Sequence, residues 1–298
     1  MTAAARRISR RHALALTAGF ALTPRLARAA AAAKRVAVID WALLETVLAL
    51  GVVPVAATEL LQFRKTIVEP AVPASVADIG LRGTPNYEAL NLAEPDLILT
   101  SNYYEGQRAS LERVAETVPL SIYAPGVQPY PAAADAALAL GRLLGREAQA
   151  KALVADTDAE IARLRGTLAG IVRRPVLAIN FGDARHFRAF GTDSMFGDVL
   201  RRLGVENGWA AQSSYSATAP VGIEALARFP DAAVIVVPPA PAEAMRTLAD
   251  SALWQALPMV RDGRVAVIET VNHFGGLPAA LRFARLAAAA LLQGNGNG

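Results

Sequence analysis

The sequence contains no cysteine. That excludes a disulfide framework and a thiolate metal site, and it excludes a lipidated cysteine as a membrane anchor. Histidine is nearly as scarce, with three in 298 residues: His12, His186 and His273. They form no H-E-x-x-H pair or other spaced ligand cluster. A protein holding bare zinc or manganese is expected to carry more histidine or clustered carboxylates. There is no G-x-S-x-G elbow, no Walker A motif and no nucleotide-binding glycine pattern. His186 follows Asp183-Ala184-Arg185 in a polar turn and reads as a surface or lobe-lining residue ahead of a general base. No catalytic residue and no protein metal ligand is therefore assigned, and the chain is not expected to be an enzyme. Long apolar runs are also missing. The uncharged stretch over residues 13–24 is too short for a bilayer, which needs about 20 apolar residues. The run over residues 277–292 is interrupted by Arg282 and Arg285 and reads as a packed amphipathic helix.

The charge is unevenly placed. The whole chain has 30 Lys+Arg against 26 Asp+Glu. Six of those arginines and none of the acids fall in residues 1–29. Arg6, Arg7, Arg10 and Arg11 form a basic region, the uncharged stretch follows, and Ala27-Arg28-Ala29 supplies an A-x-A site. Residues 1–29 are thus expected to be a signal peptide cleaved before Ala30. Arg10-Arg11 within Ser9-Arg10-Arg11-His12-Ala13-Leu14 is similar to a twin-arginine signal, and the general secretory route stays open. Without that segment, 24 basic residues face 26 acidic ones, a net of −2. A basic surface for nucleic acid is not supported. A free periplasmic monomer, not anchored to a membrane, is expected.

Short apolar strand candidates alternate with helical stretches, which argues for α/β architecture. Strands are expected over residues 36–39, 96–100, 175–180, 233–237 and 265–268, with helices over about 42–50 and 107–117. One pattern occurs twice. Tyr87-Glu88-Ala89-Leu90 precedes Pro95-Asp96 and an apolar run. Ile223-Glu224-Ala225-Leu226 precedes Pro230-Asp231 and another. Proline stops each helix because it cannot continue the hydrogen-bond ladder. Two lobes built on one plan are expected: residues 30–130 and 171–293. Residues 131–170 between them favour helix, and residues 147–168 lack proline and would form a helix of about 33 Å. Residues 294–298 read as a flexible tail.

Four ordered blocks carry a family resemblance. The first is Arg35-Val36-Ala37-Val38-Ile39-Asp40-Trp41 with Leu48-Ala49-Leu50-Gly51-Val52-Val53-Pro54. The second is Asp78-Ile79-Gly80-Leu81-Arg82-Gly83-Thr84-Pro85-Asn86-Tyr87-Glu88. The third is Phe190-Gly191-Thr192-Asp193-Ser194-Met195-Phe196 with Leu203-Gly204-Val205-Glu206-Asn207-Gly208-Trp209. The fourth is Leu253-Trp254-Gln255-Ala256-Leu257-Pro258 with Val260-Arg261-Asp262-Gly263-Arg264-Val265. Together they resemble periplasmic ferric-hydroxamate-binding proteins of the FhuD type, within the class III substrate-binding proteins of ABC importers. The resemblance implies two α/β lobes joined by a long α-helix, rather rigid, with the ligand between them.

It also implies a site. Arg82 would face the cleft and bond hydroxamate oxygens, as suits a guanidinium with several donors in a fixed fork. The plain alternative is an ion pair with a lobe carboxylate such as Asp78. Tyr104 would donate to a chelate oxygen while its ring packs on the siderophore scaffold, with Tyr103 adjacent. Trp41 would line the cleft or sit in the core. Where one member of that family carries tryptophans, this chain has Thr66, Ser216 and Asn272, with Tyr215, His273 and Phe274 as neighbours. A more polar cleft follows. His273 would donate to a chelate or play a neutral structural part.

Glu88 and Glu224, matched in the two repeated units, would dock on arginines of an inner-membrane ABC permease served by a cytoplasmic ATPase. Their alternative is first-turn glutamates favoured by the helix dipole. No intrinsic cofactor is implied. The ligand would be an iron(III)–siderophore complex, ferrichrome-like, with iron held by the siderophore. The same fold binding another iron chelate, haem or a corrinoid is the near alternative, and a periplasmic hydrolase the more distant one.

Overall fold

The computed structural model describes residues 34–67, 69–211 and 220–295. The expected signal segment, Tyr215, Ser216 and residues 296–298 lie outside the described residues.

The N-terminal lobe contains β1 (Val36–Val38), α1 (Trp41–Ala49), β2 (Ala56–Ala57), α2 (Leu60–Thr66) and β3 (Ala77–Asp78). A hairpin of β4 (Gly80–Leu81) and β5 (Thr84–Pro85) follows, then α3 (Tyr87–Leu92) and β6 (Leu97–Thr100). A 3₁₀ turn over Asn102–Gln107, α4 (Arg108–Leu111) and β7 (Glu116–Pro119) complete it. The five-stranded sheet is ordered β3-β2-β1-β6-β7, and every neighbouring pair is parallel. Strand order reverses between β1 and β6. In such sheets, ligands bind in the crevice outside the carboxyl ends at that point.

The helix expected over residues 107–117 is not there. Only Arg108–Leu111 is α-helical, and Glu116–Pro119 is an edge strand on β6. Thr117 and Val118 are β-branched, and Pro119 is tolerated because β7 is an edge.

Two helices connect the lobes: α5 (Pro129–Leu144) and α6 (Glu147–Leu168). Gly145, at φ +64°, ends α5 in the left-handed conformation that glycine adopts without steric cost. The chain then doubles back, and Tyr130 at the start of α5 donates to Asp158 on α6 at 2.7 Å. α6 covers the residues expected for the long helix.

The C-terminal lobe comprises β8 (Val176–Phe181), β9 (His186–Ala189), α7 (Met195–Arg202), β10 (Val221–Gly222) and β11 (Ala233–Val236). Then come α8 (Ala242–Ala249), α9 (Ala252–Ala256), α10 (Pro258–Arg261), β12 (Val265–Val267) and α11 (Leu277–Asn295). Its sheet is ordered β10-β9-β8-β11-β12, with β9 and β10 antiparallel to their neighbours. α11 continues to Asn295, so the first two residues of the expected tail are helical.

The repeated pattern has a structural counterpart. α3 leads into β6, which lies beside β1, and a 3₁₀ turn over Ile223–Arg228 leads into β11, which lies beside β8. The second unit is tighter than the α-helix expected from its sequence.

One core joins both halves. It includes Val38, Trp41 and Leu44 from the N-terminal lobe, Ile161 on α6, and Phe196 and Phe283 from α7 and α11. Phe196 and Phe283 stack with centroids 4.2 Å apart. Close packing of this kind transmits strain instead of yielding to it, which favours lobes that hold their relative position.

Candidate functional site

The site begins at the carboxyl ends of β1 and β6. Asp40 caps α1: one carboxylate oxygen accepts from Ala42 N at 2.8 Å and Leu43 N at 3.3 Å. The other accepts from Ser101 Oγ, at the end of β6, at 2.7 Å. This ties the two strand ends together, although burial raises the Asp40 pKa.

Trp41 is 6 % exposed and belongs to the core. Its Nε1 donates to Thr58 O at 3.0 Å, and its ring meets Phe63 edge-on at 5.4 Å. The guanidinium of Arg82 lies over that ring, 3.9 Å from its centroid. Trp41 is thus a core residue that also supports the site.

Arg82 sits on the turn between β4 and β5. Gln107 Nε2 holds that turn by donating to the carbonyls of Arg82 and Gly83, at 3.2 and 2.7 Å. The partner of Arg82 is Glu59, not Asp78. Arg82 Nε donates to Glu59 Oε2 at 2.8 Å, and Arg82 N to Oε1 at 3.0 Å. Asp78 instead accepts from Leu60 N and Gly80 N. Sequence reasoning missed Glu59, and nothing local marks it: it lies 23 residues away. With Nε held by Glu59 and one face on Trp41, the guanidinium also makes a side-chain hydrogen bond with the Tyr104 phenol.

Tyr104 follows in the 3₁₀ turn. Burial, with Asp40 adding to it, pushes its phenol up to about 12 despite Arg82 nearby. At neutral pH it is a proton donor. Tyr103 is exposed. Arg82 and Tyr104 together offer donors to a group of oxygens that carry partial negative charge, and Trp41 offers an apolar base.

The opposite side is the segment before α11. Asn272 is buried, and its Nδ2 donates to Glu45 Oε1 on α1 at 2.6 Å. Its Oδ1 accepts from Phe274 N at 3.2 Å. Both ends of the Asn272 amide are engaged, and it ties α1 to the segment before α11. Glu45 also accepts from Gly276 N at 3.1 Å. Tyr123 donates to Gly275 O at 2.7 Å and meets Phe274 edge-on at 5.5 Å. His273 packs on Phe190 and Phe196, with Nε2 at 3.2 and 3.1 Å from the carbonyls of Val237 and Pro238. Burial lowers its pKa to about 4, so the ring is neutral and Nε2 carries the proton to those carbonyls. Thr66 is buried and accepts from Gln62 Nε2 at 2.9 Å.

Glu88 and Glu224 are both exposed, each in the first turn of its unit. Among the described residues, no group of three or more His, Cys, Asp or Glu side chains is placed to hold a metal ion. Among the same residues, no helix is long and apolar enough to cross a membrane.

Two α/β lobes on a helical connector, with donors gathered at the strand ends of one lobe and facing segments tied to the other, define a bilobed substrate-binding protein. The chain belongs to the periplasmic binding protein family, whose pattern matches residues 36–271. It is 30 % identical, over 282 residues, to the iron(3+)-hydroxamate-binding protein FhuD of Escherichia coli K12, covering 94 % of this chain and 95 % of that protein. The Fe3+–Desferal-bound siderophore-binding protein FhuD of Vibrio cholerae superposes with a TM-score of 0.84 at 29 % identity, covering 88 % of this chain and 99 % of that one. The Staphylococcus aureus FhuD2 with bound ferrioxamine B shares the fold, with a TM-score of 0.70 at 18 % identity over 88 % of this chain and 99 % of that one.

Proposed function

We propose that this protein is the periplasmic substrate-binding component of an ABC importer. It captures an iron(III)–hydroxamate siderophore between its lobes and delivers it to the inner-membrane permease. The observation that carries this reading is Arg82: one face on Trp41, Nε fixed by Glu59, and terminal nitrogens beside the Tyr104 phenol. A ferric hydroxamate presents a compact set of metal-bound oxygens, and donors held in advance lower the ordering cost of binding them. The iron stays within its chelator, so the protein supplies no metal ligand. The relatives named for iron(3+)-hydroxamate and Fe3+–Desferal binding support this ligand class.

Glu88 and Glu224, exposed in matching places on the two lobes, are the proposed contacts for basic residues of the permease. Opposite charge would steer and orient that encounter. The basic N-terminal segment supports export. The test is titration of purified protein with ferric hydroxamates, followed by tryptophan fluorescence, for wild type and Arg82→Ala. Weakened binding by a folded variant is expected. An unchanged dissociation constant would remove Arg82 from the site.

A further inference from the structure

The C-terminal lobe carries a second arginine at the mouth of its own sheet. Along β9, Phe187 and Ala189 enter that lobe's separate core. Strand alternation sends His186 and Arg188 to the other face. Ala178, Phe190 and Ile235 on this face belong to the core that also contains Phe196 of α7 and Phe283 of α11, and Phe190 packs on His273, next to the Asn272 that bonds Glu45 of the N-terminal lobe. Arg188 lies opposite Asn180, one residue from the carboxyl end of β8.

Its neighbours are already engaged. Asn180 Nδ2 donates to the carbonyls of Val237 and Pro239 at 3.0 and 2.7 Å. His273 points Nε2 at Val237 and Pro238. Arg188 is half-buried, yet its side chain forms no hydrogen bond and no ion pair with any described residue. Partial desolvation lowers its pKa, and its charge helps keep His273 neutral. Arg82, by contrast, is paired with Glu59. A guanidinium stays charged even when partly dried. A partly buried charge without a counter-ion is unfavourable, and an anionic ligand group relieves it.

We infer that Arg188 is a ligand-binding residue of the C-terminal lobe, selecting ferric hydroxamates that carry a free carboxylate or comparable anion outside the chelating oxygens. This rests on the siderophore-binding function proposed above. Arg82 then meets the chelate, and Arg188 meets the scaffold's anion from the other lobe.

A matched series tests it: ferric desferrioxamine B with its amine free, acetylated or succinylated. The chelate is constant while the complex is cationic, neutral or anionic. Dissociation constants come from tryptophan quenching of the full chain. Wild type is expected to bind the succinyl form about tenfold or more tighter than the free amine, the worth of a charge-assisted contact. Arg188→Leu should erase that ranking, and Arg188→Lys should keep most of it. Arg188→Gln replaces the leucine variant if circular dichroism shows that one misfolded. A flat ranking in wild type, or a ranking that survives in Arg188→Leu, overturns the inference. If none of the three complexes binds wild type, the siderophore-binding function itself falls.

Discussion

Glu45 joins the lobes, and its protonation should be visible in stability. It is fully buried and accepts from Asn272 Nδ2 and Gly276 N across the junction. Burial pushes its carboxyl from 4.5 up to about 8, against the pull of those donors. The folded chain therefore holds a proton that the unfolded chain releases. Stability from this group is full below pH 4.5 and falls as pH rises toward 8, by about 1.4 kcal/mol per unit. His273 works the other way. Burial lowers it from 6.5 to about 4, so across that interval the unfolded chain takes up a proton that the folded one refuses, and stability rises with pH. The two slopes oppose up to pH 6.5, leaving the Glu45 slope from there to about 8. Over that window it amounts to roughly 2 kcal/mol. Asp40, also raised by burial, has the same sign.

The perturbation is Glu45→Gln, which keeps one acceptor and cannot titrate. Urea unfolding followed by tryptophan fluorescence at several values across pH 6.5–8 measures the slope. Wild type should lose roughly 2 kcal/mol more than the variant across the window. Parallel profiles for the two proteins would refute a protonated Glu45 at the junction.

Other outcomes follow from the same geometry. Arg82→Ala should weaken ferric hydroxamate binding by about tenfold to a hundredfold, the range for charged hydrogen bonds, with an unchanged circular dichroism spectrum; equal titration curves would reject its role. Glu88→Ala with Glu224→Ala should block siderophore-dependent uptake in cells while in vitro affinity holds, and normal uptake would count against docking there. Gly197→Ala should destabilise the fold by about 1–3 kcal/mol, because a Cβ there would clash with the Gly191 carbonyl; a melting temperature equal to wild type would show that the backbone around Gly191 yields.

The parts of this molecule legible in sequence are those set by local pattern. The α6 helix over Glu147–Leu168 has no proline and regular apolar spacing, and it forms as read. The doubled helix–Pro-Asp–strand pattern marked the two units that place β6 beside β1 and β11 beside β8. The failure at residues 107–117 has the opposite cause. Glu116–Pro119 becomes a strand because β6 offers an open edge, which no local window displays. The site divides in the same way. Arg82 was marked by its loop motif, but its partner Glu59 and the commitment of Asn272 to Glu45, 227 residues apart, are products of tertiary packing. Arg188 sits in an ordinary strand, and only its lack of a described partner distinguishes it.

The most direct measurement is a tryptophan-quenching titration of the purified protein against three ferric chelates: a hydroxamate, a catecholate and a carboxylate type without hydroxamate. Trp41 lies under Arg82, so a bound chelate should report through it. Saturable one-to-one quenching by the ferric hydroxamate, tighter than by the other two, is the expected result. No response to the hydroxamate with clear quenching by another class would contradict the proposed ligand.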